Sequence, residues 1–147
     1  MDRPAVRISW HDATVYAAWL SRQLGAIYRL PTDEEWVFAA GSRFRDEVLP
    51  DSTIDLAQRW LRRYELEADR GEALDNEPRP IGSFGANENG VFDFAGNVWE
   101  WTNSLYKPYP YNGDDGRESP DNNPGDLRVV RGGAWDYGAQ SARGSAR

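Results

Sequence analysis

Three stretches of this chain place apolar residues every three to four positions, the spacing of one helix face. The first runs through Trp10, Ala13, Tyr16 or Ala17, Leu20 and Leu24. Ser9 stands before it as an N-cap, Asp12 three residues later completes a capping box, and Gly25 supplies the stop. The second opens at Thr32 with Glu35 as its capping partner. Asp33, Glu34 and Glu35 all fall in its first turn, where the helix dipole favours negative charge. Its inward positions are Trp36, Ala39 and Ala40, and Gly41 ends it. The third covers residues 54–69, with Leu56, Trp60 and Tyr64 on one face and Ala57 and Leu61 beside them. Glu65, Glu67 and Asp69 near its end oppose the dipole, so this helix depends on packing.

Beyond Gly71 the period is lost. Residues 72–90 are rich in Pro, Gly and Asn and predict irregular chain with short turns. Trp99 and Trp101 alternate after a tight turn at Gly96–Asn97, which predicts a strand; both, with Trp135, are expected in the core. Residues 107–126 form a long polar loop whose acids Asp114, Asp115, Glu118, Asp121 and Asp126 are expected to be solvated. Arg128–Arg131 is a second short strand, leading into Gly132–Gly133. No internal repeat or hinge linker interrupts the 147 residues, so a single domain is expected.

Composition narrows the function. Seven Trp, seven Tyr and five Phe give a core that leans on rings, whose polar edges need hydrogen-bond partners. A net charge of −7 is the wrong sign for a nucleic-acid binder, whose affinity rests on a basic face. No run of apolar residues is long enough to span a bilayer, and the first residues lack a signal-peptide pattern, so neither membrane nor export is expected and the assignment is cytoplasmic. The absence of cysteine removes disulfides, thiolate metal sites and thiol nucleophiles together. His11 is the one histidine, which leaves zinc and two-histidine iron sites without enough ligands; a solvated surface position is expected for it.

Four segments, in order, carry a specific pattern: Val6-Arg7-Ile8-Ser9-Trp10-His11-Asp12-Ala13; Tyr28-Arg29-Leu30-Pro31-Thr32-Asp33-Glu34-Glu35-Trp36; Asn89-Gly90-Val91-Phe92-Asp93-Phe94-Ala95-Gly96-Asn97-Val98-Trp99-Glu100-Trp101; and Arg128-Val129-Val130-Arg131-Gly132-Gly133-Ala134-Trp135. Together they resemble the formylglycine-generating-enzyme, or sulfatase-modifying-factor, family over roughly residues 4–42 and 78–147. The resemblance implies an α+β domain of C-type-lectin-like fold, with few helices, a small twisted antiparallel sheet and much irregular chain. It also implies that N- and C-terminal parts of the family domain lie outside these 147 residues.

Catalytic members of the family hold copper with two cysteines after the Arg-Gly-Gly segment and use oxygen to convert a substrate cysteine to formylglycine. Soft sulfur ligands select Cu(I). By position those cysteines correspond to Tyr137 and Ala142 here, so no copper is expected. The resemblance further implies a calcium site made of Asp93, the carbonyls of Gly96 and Val98, and Glu100, a set of hard oxygens suited to that ion. A second family calcium site, in the region that residues 54–69 replace, is not carried over.

Three functions of different classes fit. One is an accessory or binding module in the maturation of another protein, in line with cysteine-lacking members and with accessory members near nitrite reductase genes. Another is an oxidoreductase with a non-thiol site. A third is a ligand-display domain of the lectin-like fold. For ligand contact the candidates are Trp135, Tyr137, Tyr109 and Tyr111, and the partner expected is a protein or peptide.

Overall fold

In the computed structural model, residues 2–41, 77–94, 96–121, 123 and 125–133 are described. Two helices and two strands follow in chain order: α1 (Trp10–Leu24), α2 (Asp33–Ala40), β1 (Glu100–Leu105) and β2 (Arg128–Arg131). The helix expected at 54–69 lies outside the described residues. Among those described, no helix is long and apolar enough to cross a membrane. The chain divides into two compact units. Among the described residues, one contains 2–4, 39–41, 77–94, 96–99 and 132–133; the other contains 5–38, 100–121, 123 and 125–131.

Both helices begin as their sequences predict. In α1 the Ser9 side chain accepts from the Asp12 amide, and the Asp12 carboxylate accepts from the Ser9 amide at 2.9 Å. Two of the four orphan amides of the first turn are thereby satisfied reciprocally. Gly25 closes the helix in the left-handed conformation at φ 65, which any side chain would strain. The returning chain is then pinned: Ser21 Oγ accepts from the Tyr28 amide at 2.8 Å. Thr32 and Glu35 form the same reciprocal box at the start of α2, at 2.8 and 3.1 Å. Arg29 adds two bonds of 2.6 Å to the Glu35 carboxylate, which hold it down at a pKa of about 2. On α2 the buried positions are Asp33, Trp36 and Ala40, one helical stripe that includes an acid. Phe38 points the other way and is exposed.

β1 and β2 pair antiparallel, with Glu100 opposite Arg131 and Trp101 opposite Val130. Leu105 is opposite Arg128, so β1 takes more residues than β2 over the same span, and the ladder bulges between Trp101 and Leu105. Within that bulge the Asn103 amide turns to the Pro31 carbonyl at 2.7 Å. The Leu105 amide donates to Arg117 and the Tyr106 amide to Leu127, each at 2.7 Å.

The sheet buries an unexpected face. Thr102 and Ser104 of β1 and Val129 and Arg131 of β2 are buried, whereas Trp99 and Trp101 are only half-buried. The expectation that these two tryptophans form the core is therefore corrected. Strand alternation allows only one face inward, and the face that wins is the one whose hydroxyls and guanidinium are all hydrogen-bonded. Thr102 Oγ1 donates to the Val129 carbonyl at 3.0 Å, and Trp10 Nε1 donates to the Thr102 carbonyl at 2.9 Å. The indole of Trp101 reaches the Ile8 carbonyl at 3.2 Å instead.

The loop after β1 is tied down by two arginines. Arg128 lies over the Trp10 ring, 4.2 Å from its centroid, and donates to the carbonyls of Asn103, Ser119 and Asp121. Arg117, nearly inaccessible, binds Asp115 at 2.7 Å and the Pro108 carbonyl at 3.1 Å, and packs over the Tyr111 ring. Asp115 is in consequence lowered to about 2. Asp115 and Glu118 are therefore structural rather than solvated, while Asp114 and Asp121 are exposed as expected.

Candidate functional site

The densest arrangement of ionisable groups begins at the start of α2. The Thr32–Glu35 box fixes the first turn, and the residue after Thr32 then faces inward. Asp33 is completely buried, and so is Arg131 at the end of β2. Arg131 Nε donates to Asp33 Oδ1 at 2.6 Å. Its Nη2 lies 2.6 Å from the same oxygen and donates to the Tyr109 hydroxyl at 2.8 Å. Tyr109 in turn donates to Asp33 Oδ2 at 3.0 Å. The pair thus survives burial because its remaining lone pairs and protons find partners.

The network extends in both directions. The Asp33 amide donates to Ser104 Oγ at 2.8 Å, and Ser104 donates to Glu118. Glu118 also accepts from Tyr111 at 2.9 Å and from Asn103 at 3.3 Å. Burial and then the Glu118 carboxylate raise the Tyr111 hydroxyl to about 12, so it remains a donor. On the other side the Arg131 guanidinium stands 5.7 Å from the centre of the Trp36 ring, and Trp36 Nε1 donates to Glu100 at 2.6 Å. Every acid in this chain of contacts is already committed to protein donors. Ser104 accepts an amide and donates to a carboxylate. His11, the only imidazole, is exposed. The arrangement ties α2, β1 and the loop after β1 together, with the Ser104 hydroxyl held between the Asp33 amide and the Glu118 carboxylate.

In the other unit a tight turn is organised by Asp93 and Asn97, both at positive φ, 56 and 63. Asp93 Oδ2 accepts from the Gly82 amide at 2.5 Å and Oδ1 from the Phe84 amide at 2.9 Å. Asn97 exchanges two bonds with the backbone of Arg79, at 2.9 and 3.2 Å. The Gly96 carbonyl accepts from the Val98 amide at 2.8 Å, and the Gly96 amide donates to Gly132 at 2.6 Å.

The residues expected from sequence are distributed as follows. Asp93, Gly96 and Val98 of the calcium quartet belong to one unit and Glu100 to the other. Among the described residues no group of three or more His, Cys, Asp or Glu side chains is placed to hold a metal ion. The calcium set needs only two such side chains, with carbonyls for the rest. An ionised carboxylate has about four acceptor positions, so the two amides bound by Asp93 leave it able to ligate. Tyr109 and Tyr111 keep their hydroxyls on Asp33 and Glu118, while the Tyr109 ring is 46% exposed. Trp135, Tyr137 and Ala142 lie outside the described residues.

Sequence reasoning overlooked the buried Asp33–Arg131 pair and the roles of Ser104, Glu118 and Arg117. One signal was present: three successive acids after Thr32 exceed what a helix dipole requires, and an arginine stands at each end of the Val129–Val130 strand.

Comparison with known proteins bears on this geometry. Residues 1–147 match the family described as sulfatase-modifying factor enzyme 1-like domain. The inactive C-alpha-formylglycine-generating enzyme 2 of Mus musculus is 34% identical over 99% of the chain and 41% of its own length. The formylglycine-generating enzyme of Streptomyces coelicolor is 34% identical over 91% of the chain and 42% of its length. A hercynine oxygenase of Mycobacterium tuberculosis is 34% identical over 91% of the chain and 30% of its length. The chain therefore spans less than half the length of these curated relatives. On the match over its whole length, the chain belongs to the sulfatase-modifying factor enzyme 1-like family, the family of the formylglycine-generating enzymes.

Proposed function

We propose that this domain does not generate formylglycine and acts as a binding or accessory module in the maturation of another protein. The observation that carries this reading is the replacement of both family cysteines. By the family resemblance Tyr137 and Ala142 stand at about their positions, and the chain has no thiol. A phenol or a methyl group cannot replace the soft ligands that hold Cu(I). Similarity to a mouse protein itself named inactive supports the same reading. The polar network around Asp33 and Arg131 fits too, because its hydrogen bonds commit these side chains to one another.

The finer features belong to this proposal. The fold is the C-type-lectin-like one. Calcium is the resident ion, held by Asp93, Glu100 and the carbonyls of Gly96 and Val98. When bound, it supplies fixed positive charge that neutralises two carboxylates and stiffens the turn. The partner is a protein or peptide met by aromatic side chains, the candidates being Tyr109, Tyr111, Trp135 and Tyr137.

The test is an assay on a cysteine-containing sulfatase peptide with copper and oxygen. No formylglycine is expected, and product formed in proportion to protein would overturn the proposal. Similarity to a hercynine oxygenase favours a second reading, an oxidoreductase with a non-thiol site. Metal analysis of the purified protein separates the two. Stoichiometric iron or copper supports the oxidoreductase, and calcium alone supports the accessory module.

A further inference from the structure

Helix α1 is amphipathic in an unusual sense: none of its residues is buried, and its outer face is the more aromatic one. Ala13, Ala17 and Leu20 are half-buried, while Val15, Tyr16 and Trp19 are 53%, 60% and 45% exposed. Asp12, Val15, Tyr16, Trp19 and Arg22 together line one open face. The rings of Tyr16 and Trp19 lie against each other at 5.6 Å between centroids. Arg22 has no ion-pair partner among the described residues. Contiguous exposed aromatics bounded by charge mark an interaction surface, since Trp, Tyr and Arg anchor most interfaces.

The order of residues on this face says what covers it. Asp12 stands at one end and Arg22 at the other, about 15 Å apart along the axis. The apolar residues lie between them. Turned end for end about the middle of the helix, the face presents Arg22 where Asp12 was, Asp12 where Arg22 was, and exchanges Val15 with Trp19. It is complementary to itself, as a two-fold interface requires. We propose that α1 pairs antiparallel with α1 of a second copy of this chain, with Asp12 of each copy against Arg22 of the other and the two Tyr16–Trp19 pairs forming one aromatic cluster.

Sequence spacing agrees with this geometry. Positions 12, 15, 19 and 22 recur at three, four and three residues, the seam by which two helices pack along their length. One helix pair covers less than the roughly 800 Å² per partner of a standard interface, which places the association in the weak, transient class.

Sedimentation equilibrium over rising concentration tests the proposal. A monomer–dimer equilibrium is expected, with a Kd on the order of 100 μM. Trp19→Ala, which leaves the caps intact, should weaken it by about tenfold or more. Arg22→Glu alone and Asp12→Arg alone should each remain monomeric, because like charges then meet at both ends of the pair. An equal mixture of these two variants should associate again, because both charge pairs are restored in the mixed dimer. Circular dichroism confirms that each variant keeps its helix; should Asp12→Arg lose helicity with its cap, Trp19→Ala and Arg22→Glu decide alone. A protein that stays monomeric throughout, or a dimer indifferent to Trp19→Ala and Arg22→Glu, overturns the proposal.

Discussion

Replacing Asp33 by Asn would leave the Arg131 guanidinium fully buried against a neutral partner. Removing one member of a buried pair costs about 3–5 kcal/mol, because the remaining charge is uncompensated. Urea melts of Asp33→Asn and of Arg131→Met should both show a loss of that size. The double variant Asp33→Leu/Arg131→Met should recover part of it, since no charge is then stranded. A double-variant loss equal to the sum of the single losses would mean that the pair itself carries little. Tyr109→Phe is milder, for Arg131 keeps its bonds to Asp33. At this scale the sequence was only partly legible. The identity of Asp33 as an acid was plain, but its direction was not. An acid in the first turn of a helix satisfies the dipole whether it faces water or the interior, and only Arg131, 98 residues away, decides which.

At the scale of elements, local chemistry explains what could be read. Ser9–Asp12 and Thr32–Glu35 are capping boxes in sequence and in structure, because each needs only four consecutive residues. Thr32→Ala should cost about 1 kcal/mol in thermal or urea unfolding. A loss well below that would show that Arg29, through Glu35, already holds the turn. The strands were legible as strands, and their buried face was not. Trp101 and Leu105 advertise the wrong side of β1, and the bulge that reorients Asn103 toward Pro31 depends on long-range partners. The loop acids were misread for the same reason: Asp115 and Glu118 take their character from Arg117, Tyr111 and Ser104.

For the whole molecule, two of the described carboxylates shape the acid limb of stability. Arg29, through paired hydrogen bonds, lowers Glu35 from 4.5 to about 2, and Arg117 does the same for Asp115 from 3.8. A carboxyl that binds protons more weakly folded than unfolded stabilises the fold above its unfolded pKa. That contribution disappears as pH falls through the folded value. Stability should therefore decline from about pH 4.5 toward about pH 2, and Glu35→Gln should make the decline shallower. Urea midpoints measured across this range provide the check. The slope is modest, because the Arg29 and Glu35 side chains are 58% and 48% exposed and solvent screens their attraction. Family membership was legible from four short motifs, whereas the proposed loss of formylglycine generation rests on the absence of cysteine from the chain.

The hydrogen bonds along β1 have a consequence for how this protein behaves in a crowded solution. Glu-Trp-Thr-Asn-Ser-Leu is the kind of short, weakly charged, β-prone run that can template the stacking of identical chains into fibrils. Stacking needs a free row of amides and carbonyls. Here the Asn103, Leu105 and Tyr106 amides at that strand and its end are taken by Pro31, Arg117 and Leu127. The Thr102 and Asn103 carbonyls are held by Trp10 and Arg128. The contacts that seat the strand, those of Trp10 and Arg128 among them, occupy groups that such stacking would need.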